Sequence, residues 1–573
     1  MPHTLGEQRA TVPRIVLPIT SRGLEVTDRL CWAFLGAAMA AAAGLILYLN
    51  RGTVFFVDEF ERFLNSPTLG PVDVIEPHAG HLTATSNLVY RGILETVGAD
   101  YVAFRVLAVS VVLLAAGLFY EVVKRRIGAL PALAPTLLLL FFGSSWEMIA
   151  TGLGFNVVFS IAMGLGALLA LERRDRLGDA IASLLLIVAV ATLSIGLAFL
   201  VGVAIYVLLR PDRWRRAWIF IVPLVLYAAW WLWALSADQS AGEAARASNA
   251  LLIPNYIAES LAAVTGAIAG LSFDFSNQSE GGVWLEWGRV LAVPAAAALV
   301  VRLRRGNVPV SLWASLGIVL AFWTLGALVT FPLRPPGSMR YVYTGAVAVL
   351  LVASDAARTV HFSRLGLTVL FGACAISLTT NLALLRDGAA SFRDRYSAPV
   401  RADLAAVELA RDRVDPEFNP VAGEPALSVT PFPAGEYLAA VDRYGSPAFS
   451  PAELAREPES VREGADQVLA RALDLELDRS GARPVGKRCQ RIRRGAPGEA
   501  ITFELPTGGA RVRTRGGASA TAGLRRFAEQ PSIELGKVRP GETAALEVPP
   551  DASPTPWRMS IAAARSVEVC GLR

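Results

Sequence analysis

Residues 47–63 read LYLNRGTVFFVDEFERF, and the way this stretch changes character decides how the chain is understood. A first apolar run, about Leu30 to Leu49, ends here, and the acidic pair Asp58-Glu59 follows almost at once. The run is long enough to cross about 30 Å of hydrocarbon. It also exceeds the apolar core of a cleavable signal peptide, so it reads as an anchor that stays. Two carboxylates at the mouth of a membrane helix do nothing to hold lipid. They sit where a lipid head group would meet water, a place suited to chemistry on such a head group.

Working outward, the same apolar pattern recurs. The 573 residues are 53% hydrophobic, with a mean hydropathy of +0.45, too high for an ordinary soluble chain of this length. Eleven spans are expected, at about 28–49, 101–123, 130–144, 154–171, 179–193, 195–210, 215–236, 288–303, 309–331, 340–357 and 363–385. Basic residues gather in alternate connections: Lys124-Arg125-Arg126, then Arg173, Arg174 and Arg176, then Arg210, Arg213, Arg215 and Arg216, then Arg302, Arg304 and Arg305, then Arg358 and Arg364. The connections 144–154 and 192–196 hold none. By the positive-inside rule the N-terminal tail, 1–27, is cytoplasmic and everything after 386 is external. The transmembrane domain is then 28–385, with long outer loops at 50–100 and 237–287.

This arrangement excludes several functions. The net charge of +5 comes from short cytoplasmic connections and does not indicate nucleic-acid binding. No Gly-rich phosphate cradle occurs on the cytoplasmic side, so a nucleotide-driven machine is not indicated. Only three residues, Lys124, Lys487 and Lys537, are lysine among so many arginines, and alanine is abundant; this composition suggests a bacterium of high GC content, hence a bacterial plasma membrane. Any chemistry is extracytoplasmic.

The polar residues of the outer face are the candidates. Asp58 is a proton acceptor for an acceptor hydroxyl, because one-sided loss of hydration at the interface raises a carboxylate's basicity; Glu59 is its neighbour in that role. In the same loop, Glu76, His78 and His81 offer either substrate contacts or, as the alternative, three donors to a divalent metal. Glu147 follows Trp146 between spans three and four, and an acid at that depth needs a partner or a role. Arg334 and Arg340, in TFPLRPPGSMRYVYTG, run against the local charge bias, and an Arg fork suits a phosphate. Tyr341 and Tyr343 would flank the same pocket, and Arg105 opens span two on the same side.

After residue 386 polar helices give way, from about Lys487, to short β-type runs between Gly and Pro turns, which suggests a small sandwich. Cys489 and Cys570 flank it and are candidates for a disulfide in an oxidising exterior. Cys31 and Cys374 lie within spans and read as packing residues.

A carboxylate directly after the first span, a long first outer loop, Arg340-Tyr341 opening a late span and an external C-terminal domain resemble the GT-C superfamily of integral-membrane glycosyltransferases. The resemblance implies an all-α polytopic membrane domain followed by an external α+β or β-sandwich domain. It implies a polyprenyl-phosphate-sugar donor and an extracytoplasmic glycan, lipid or protein acceptor, with no cofactor required. It places the base at Asp58 and donor-phosphate contacts at Arg340 and Arg334. The WWDYG-type signature of oligosaccharyltransferases is absent, which counts against asparagine glycosylation. The rival readings are a lipid-linked glycan transporter or flippase, and a polymer ligase of the O-antigen type, which His78 and His81 would serve.

Overall fold

The structure, a computed structural model, describes residues 16–17, 24–25, 27–236, 247–272, 285–329, 335–421, 431–479, 489–495, 499–551 and 553–572. Arg334 lies outside the described residues. The chain folds as two compact units. The first comprises Met1–Arg51, Gly70–Tyr90 and Val102–Ala390; the second comprises Gly52–Leu69, Arg91–Tyr101 and Ser391–Arg573.

Along the chain, the pair β1 Val16–Leu17 and β2 Leu24–Glu25 precedes α1 Asp28–Leu49. Thr27 caps α1, its hydroxyl accepting from the Leu30 amide at 3.3 Å. The expected first loop holds α2 Asp58–Asn65, the hairpin of β3 Pro77–His78 and β4 His81–Leu82, and α3 Ala84–Val97. Then come α4 Tyr101–Ile127, α5 Ala129–Leu140, α6 Trp146–Ala150, α7 Gly154–Leu171, α8 Arg176–Thr192, α9 Ile195–Leu208, α10 Arg213–Arg216 and α11 Trp218–Ser236. They are followed by α12 Ile253–Ala269, α13 Glu286–Arg304, α14 Val310–Val329, α15 Met339–Ala356 and α16 Arg364–Phe392. A π-helical turn, Arg393–Ser397, leads to α17 Ala398–Leu409, α18 Ala434–Tyr444, α19 Pro451–Leu454 and α20 Glu459–Ala472. The strands close the chain: β5 Leu477–Asp478, β6 Cys489–Arg493, β7 Ile501–Glu504, β8 Gly508–Arg525, β9 Ile533–Val538, β10 Thr543–Val548 and β11 Arg558–Gly571.

Each expected span coincides with a helix. Among the described residues, seven helices are long and apolar enough to cross a membrane, or eight if α5 and the segment Gly143–Ala150, bent by 41°, form one span. This is the build of a multi-pass membrane protein. The seven include Ser248–Ala269, inside the stretch 237–287 that reads as a loop from sequence.

That helix, α12, packs against α13, α14 and α15. Its Ile268 packs against the buried cluster of Ala134, Leu137, Leu138 and Cys374. Asn249, just before it, donates to the Leu328 carbonyl at the end of α14, and Tyr256 lies over Gly326. Thr265 donates to the Gly288 carbonyl in the first turn of α13, and Val264 lies against Gly345 near the start of α15. Past its C-terminus, Ser272 bonds Ser144 at the α5–α6 break. These contacts fall toward the Val329 end of α14, the Glu286 end of α13 and the Met339 end of α15. Gly270, left-handed at φ 73°, ends the helix there, because a side chain at that φ is strained.

At the opposite end two arginines from the basic connections turn inward. Arg126 and Asp355 are buried and 2.7 Å apart, and the Asp355 carboxylate also accepts from Ser311 at 2.6 Å and Ser315 at 2.8 Å. Arg216 and Asp179 form a second buried pair at 2.6 Å. Charge counting places such residues on a side but cannot tell a loop arginine from an interior one.

In the second unit the strands form one sheet ordered β5-β10-β8-β11-β6, with β7 also on β11 and β9 also on β8. The first half of β8 pairs β10 and its second half pairs β9; β11 likewise pairs β7 first and β6 last. The register between β11 and β8 shifts at Ala562–Ala564, opposite Gly517–Thr521, where both long strands change partner, and a second irregularity at Ala522–Gly523 lies within the β8–β9 pairing. Cys489 and Cys570 face each other on β6 and β11 and are disulfide-bonded.

Candidate active site

The acidic pair is held by an aromatic base within the second unit. Phe55 stacks on Phe63 at 5.1 Å and meets Tyr101 edge-on at 5.0 Å, while Phe56 meets Phe392 edge-on at 4.8 Å. Phe60 packs against Phe432 at 4.9 Å, and α2 lies on α18. With residues pinned on both sides, Val57 is forced to φ 43°, ψ −110°. A β-branched residue there is strained, and the surrounding contacts hold it so. The next residue is Asp58.

The two carboxylates then part. Glu59 is fully buried and accepts a hydrogen bond from the Tyr101 hydroxyl at 2.8 Å. Asp58 is half-buried in the first turn of α2. A buried, partnered acid fixes geometry; a half-buried one can meet a substrate. Further bracing comes from Arg443, which pairs with Glu95 at 2.6 Å and donates to the Pro67 carbonyl at 3.0 Å. Tyr437, buried under α2, has its phenol held well above the usual tyrosine range, by burial first and Glu408 second. Gly98 permits the close approach of this layer, since a Cβ there would lie 2.5 Å from the Tyr444 carbonyl oxygen.

The cationic candidates lie in the first unit. Arg340 is exposed in the first turn of α15, where the helix dipole adds positive potential, and its guanidinium lies 5.5 Å from the Tyr341 ring centroid. Tyr341 packs against Phe322 at 5.9 Å. Tyr343 does not flank the same space. It is buried against Phe142 at 6.3 Å, because residues two apart on a helix point to nearly opposite faces. Glu147 is half-buried on the five-residue α6, which packs on α15.

The remaining candidates do other things. Arg105 donates to the Asn50 carbonyl at 3.0 Å, closing the C-terminal end of α1. His78 and His81 are opposite one another in the β3–β4 hairpin, whose turn uses Ala79 at φ 47° and Gly80 at φ 77°. His81 Nδ1 bonds Ser194 Oγ at 2.8 Å, and Trp230 donates to the Ile75 carbonyl at 2.7 Å, so the hairpin is docked on the α8–α9 break and on α11. Among the described residues no three His, Cys, Asp or Glu side chains gather as metal ligands, so Glu76, His78 and His81 do not form the expected alternative site. The residues missed from sequence are Tyr101 and Val57; the run FFVDEF signalled an aromatic clamp, but not its partners.

No family model and no curated protein matches the chain. Among solved structures, ArnT from Cupriavidus metallidurans bound to undecaprenyl phosphate is similar over 68% of this chain and 82% of its own, at 13% identity and a TM-score of 0.44. The arabinosyltransferase EmbB from Mycobacterium smegmatis is similar over 97% of this chain, at 13% identity and a TM-score of 0.40, and the match spans 66% of that protein's length. At such scores these likenesses carry no residue roles to this chain.

Proposed function

We propose that the protein is a membrane glycosyltransferase of the GT-C kind. It takes a sugar from a polyprenyl-phosphate donor and transfers it to a hydroxyl on the extracytoplasmic side of a bacterial plasma membrane. The observation that carries this reading is Asp58: a half-buried carboxylate, set immediately after a membrane helix, behind a strained Val57 and beside a buried Glu59–Tyr101 bond. In the reaction Asp58 takes the acceptor's proton as its oxygen attacks the anomeric carbon. The bond from that carbon to the phosphate oxygen breaks, and polyprenyl phosphate leaves as an anion. Arg340, on the positive end of α15, stabilises the leaving phosphate, with Arg334 as a second cation. The disulfide between Cys489 and Cys570 supports an exterior placement for the C-terminal region, since such bonds persist in oxidising compartments.

The test is donor turnover. Purified protein in liposomes is given a panel of polyprenyl-phosphate sugars with envelope extracts as acceptors, and free polyprenyl phosphate is measured. Release that depends on acceptor supports the reading. Movement of intact donor across the bilayer without release contradicts it and favours a flippase.

A further inference from the structure

One face of the C-terminal sheet is an ordered array of arginines. On β8 the alternation Arg511-Val512-Arg513-Thr514-Arg515 buries Val512 and Thr514 and turns the arginines outward. On β6, Arg491 and Arg493 are exposed in the same way. Register puts both sets on one face. Arg513 and Arg491 are each opposite Glu568 of β11, and Arg515 and Arg493 are each opposite Ser566. Strands lie about 4.8 Å apart and alternate residues about 6.8 Å apart. The result is two columns of guanidinium groups roughly 10 Å apart, flanking Cys570, Glu568 and Ser566.

Few acids offset the array. Arg515 pairs with Glu568 at 2.9 Å, the acid at its centre. Arg491 donates to Ser566 at 3.4 Å, and Arg513 to the Gly541 carbonyl at 3.3 Å. The other acids of this face, Glu547 on β10 and Asp478 on β5, stand on the far edge beyond Arg511. Among the described residues no large apolar side chain is exposed on the face, and between the arginine columns lie Ser566 and the Cys489–Cys570 disulfide. A membrane-docking surface combines cations with inserted Trp or Leu, so a lipid layer fits poorly. Flat rows of forks suit a repeated planar anion, which each guanidinium can hold with two hydrogen bonds.

We propose that this face binds an extended polysaccharide carrying repeated carboxylates. The inference rests on the proposed reading only for the exterior placement of the domain, not for the chemistry at Asp58.

The experiment measures binding of full-length protein, in zwitterionic nanodiscs, to polygalacturonate, with dextran as the neutral control and phosphatidylglycerol vesicles as the lipid control. Polygalacturonate should bind and dextran should not, and affinity should fall as salt rises. Replacing Arg491, Arg493, Arg513 and Arg515 together by Ser should weaken binding at least tenfold. The four-fold Lys variant, which keeps charge but not the fork, should lose less and serves as the folding control. Asp58→Asn should bind as wild type, so failure here and failure of the transferase reading remain separate. Equal binding by wild type and the Ser variant overturns the proposal, as does binding of dextran comparable to polygalacturonate. Loss of vesicle binding alone also overturns it and assigns the face to lipid.

Discussion

Asp58 and Glu59 are adjacent in the chain and differ in environment, and the difference sets separate expectations for each. Asp58→Asn keeps the shape and removes the proposed base, so turnover should fall by roughly 10²- to 10⁴-fold with membrane insertion unchanged. Tyr101→Phe removes only the hydroxyl that holds Glu59, so steady-state kinetics should show a smaller loss of kcat, within about tenfold. Arg340→Lys keeps the charge but loses the planar fork, so KM for the donor should rise with a modest change in kcat; an unchanged KM would remove Arg340 from the phosphate. At this scale the sequence singled out the acidic pair, because its place after a span is local information. It did not distinguish the two carboxylates, because the partner that buries Glu59 lies 42 residues away. It also paired Tyr341 with Tyr343 on one pocket, which helical geometry forbids.

Among the elements, a helix was legible at each of the eleven expected spans because a run of apolar residues needs no partner to be recognised, although among the described residues only six of these helices are by themselves long and apolar enough to cross a membrane. α12 was not legible, because its apolar residues are interrupted by Asn255, Glu259 and Ser260. On the expected count of eleven spans, α12 has both its ends on the same side of the membrane. Cysteines introduced at Leu251 and Leu271, both exposed, should therefore react with a membrane-impermeant reagent from the same side; labelling from opposite sides would make α12 a span. At the other end, Asp355→Ala strands Arg126 as an unpaired buried cation and should cost about 3–5 kcal/mol of stability, measured by denaturation in detergent.

For the whole molecule, the proposed function joins charge bias, disulfide and acidic pair in one scheme, with the chemistry facing an oxidising exterior. Removing the Cys489–Cys570 bond by paired Ser substitution should destabilise the C-terminal sheet by about 2–5 kcal/mol, read as a lower melting temperature for that unit. The sheet's strands were visible as short β runs, whereas their register, and with it the arginine face, required the fold. The central claim is that Asp58 is the proton acceptor in sugar transfer. Its most direct test uses one reconstituted preparation each of wild type, Asp58→Asn and Asp58→Glu, with donor binding and sugar transfer measured side by side. Donor binding should be intact in all three, with no transfer by Asp58→Asn and partial transfer by Asp58→Glu. Transfer by Asp58→Asn at the wild-type rate would contradict it.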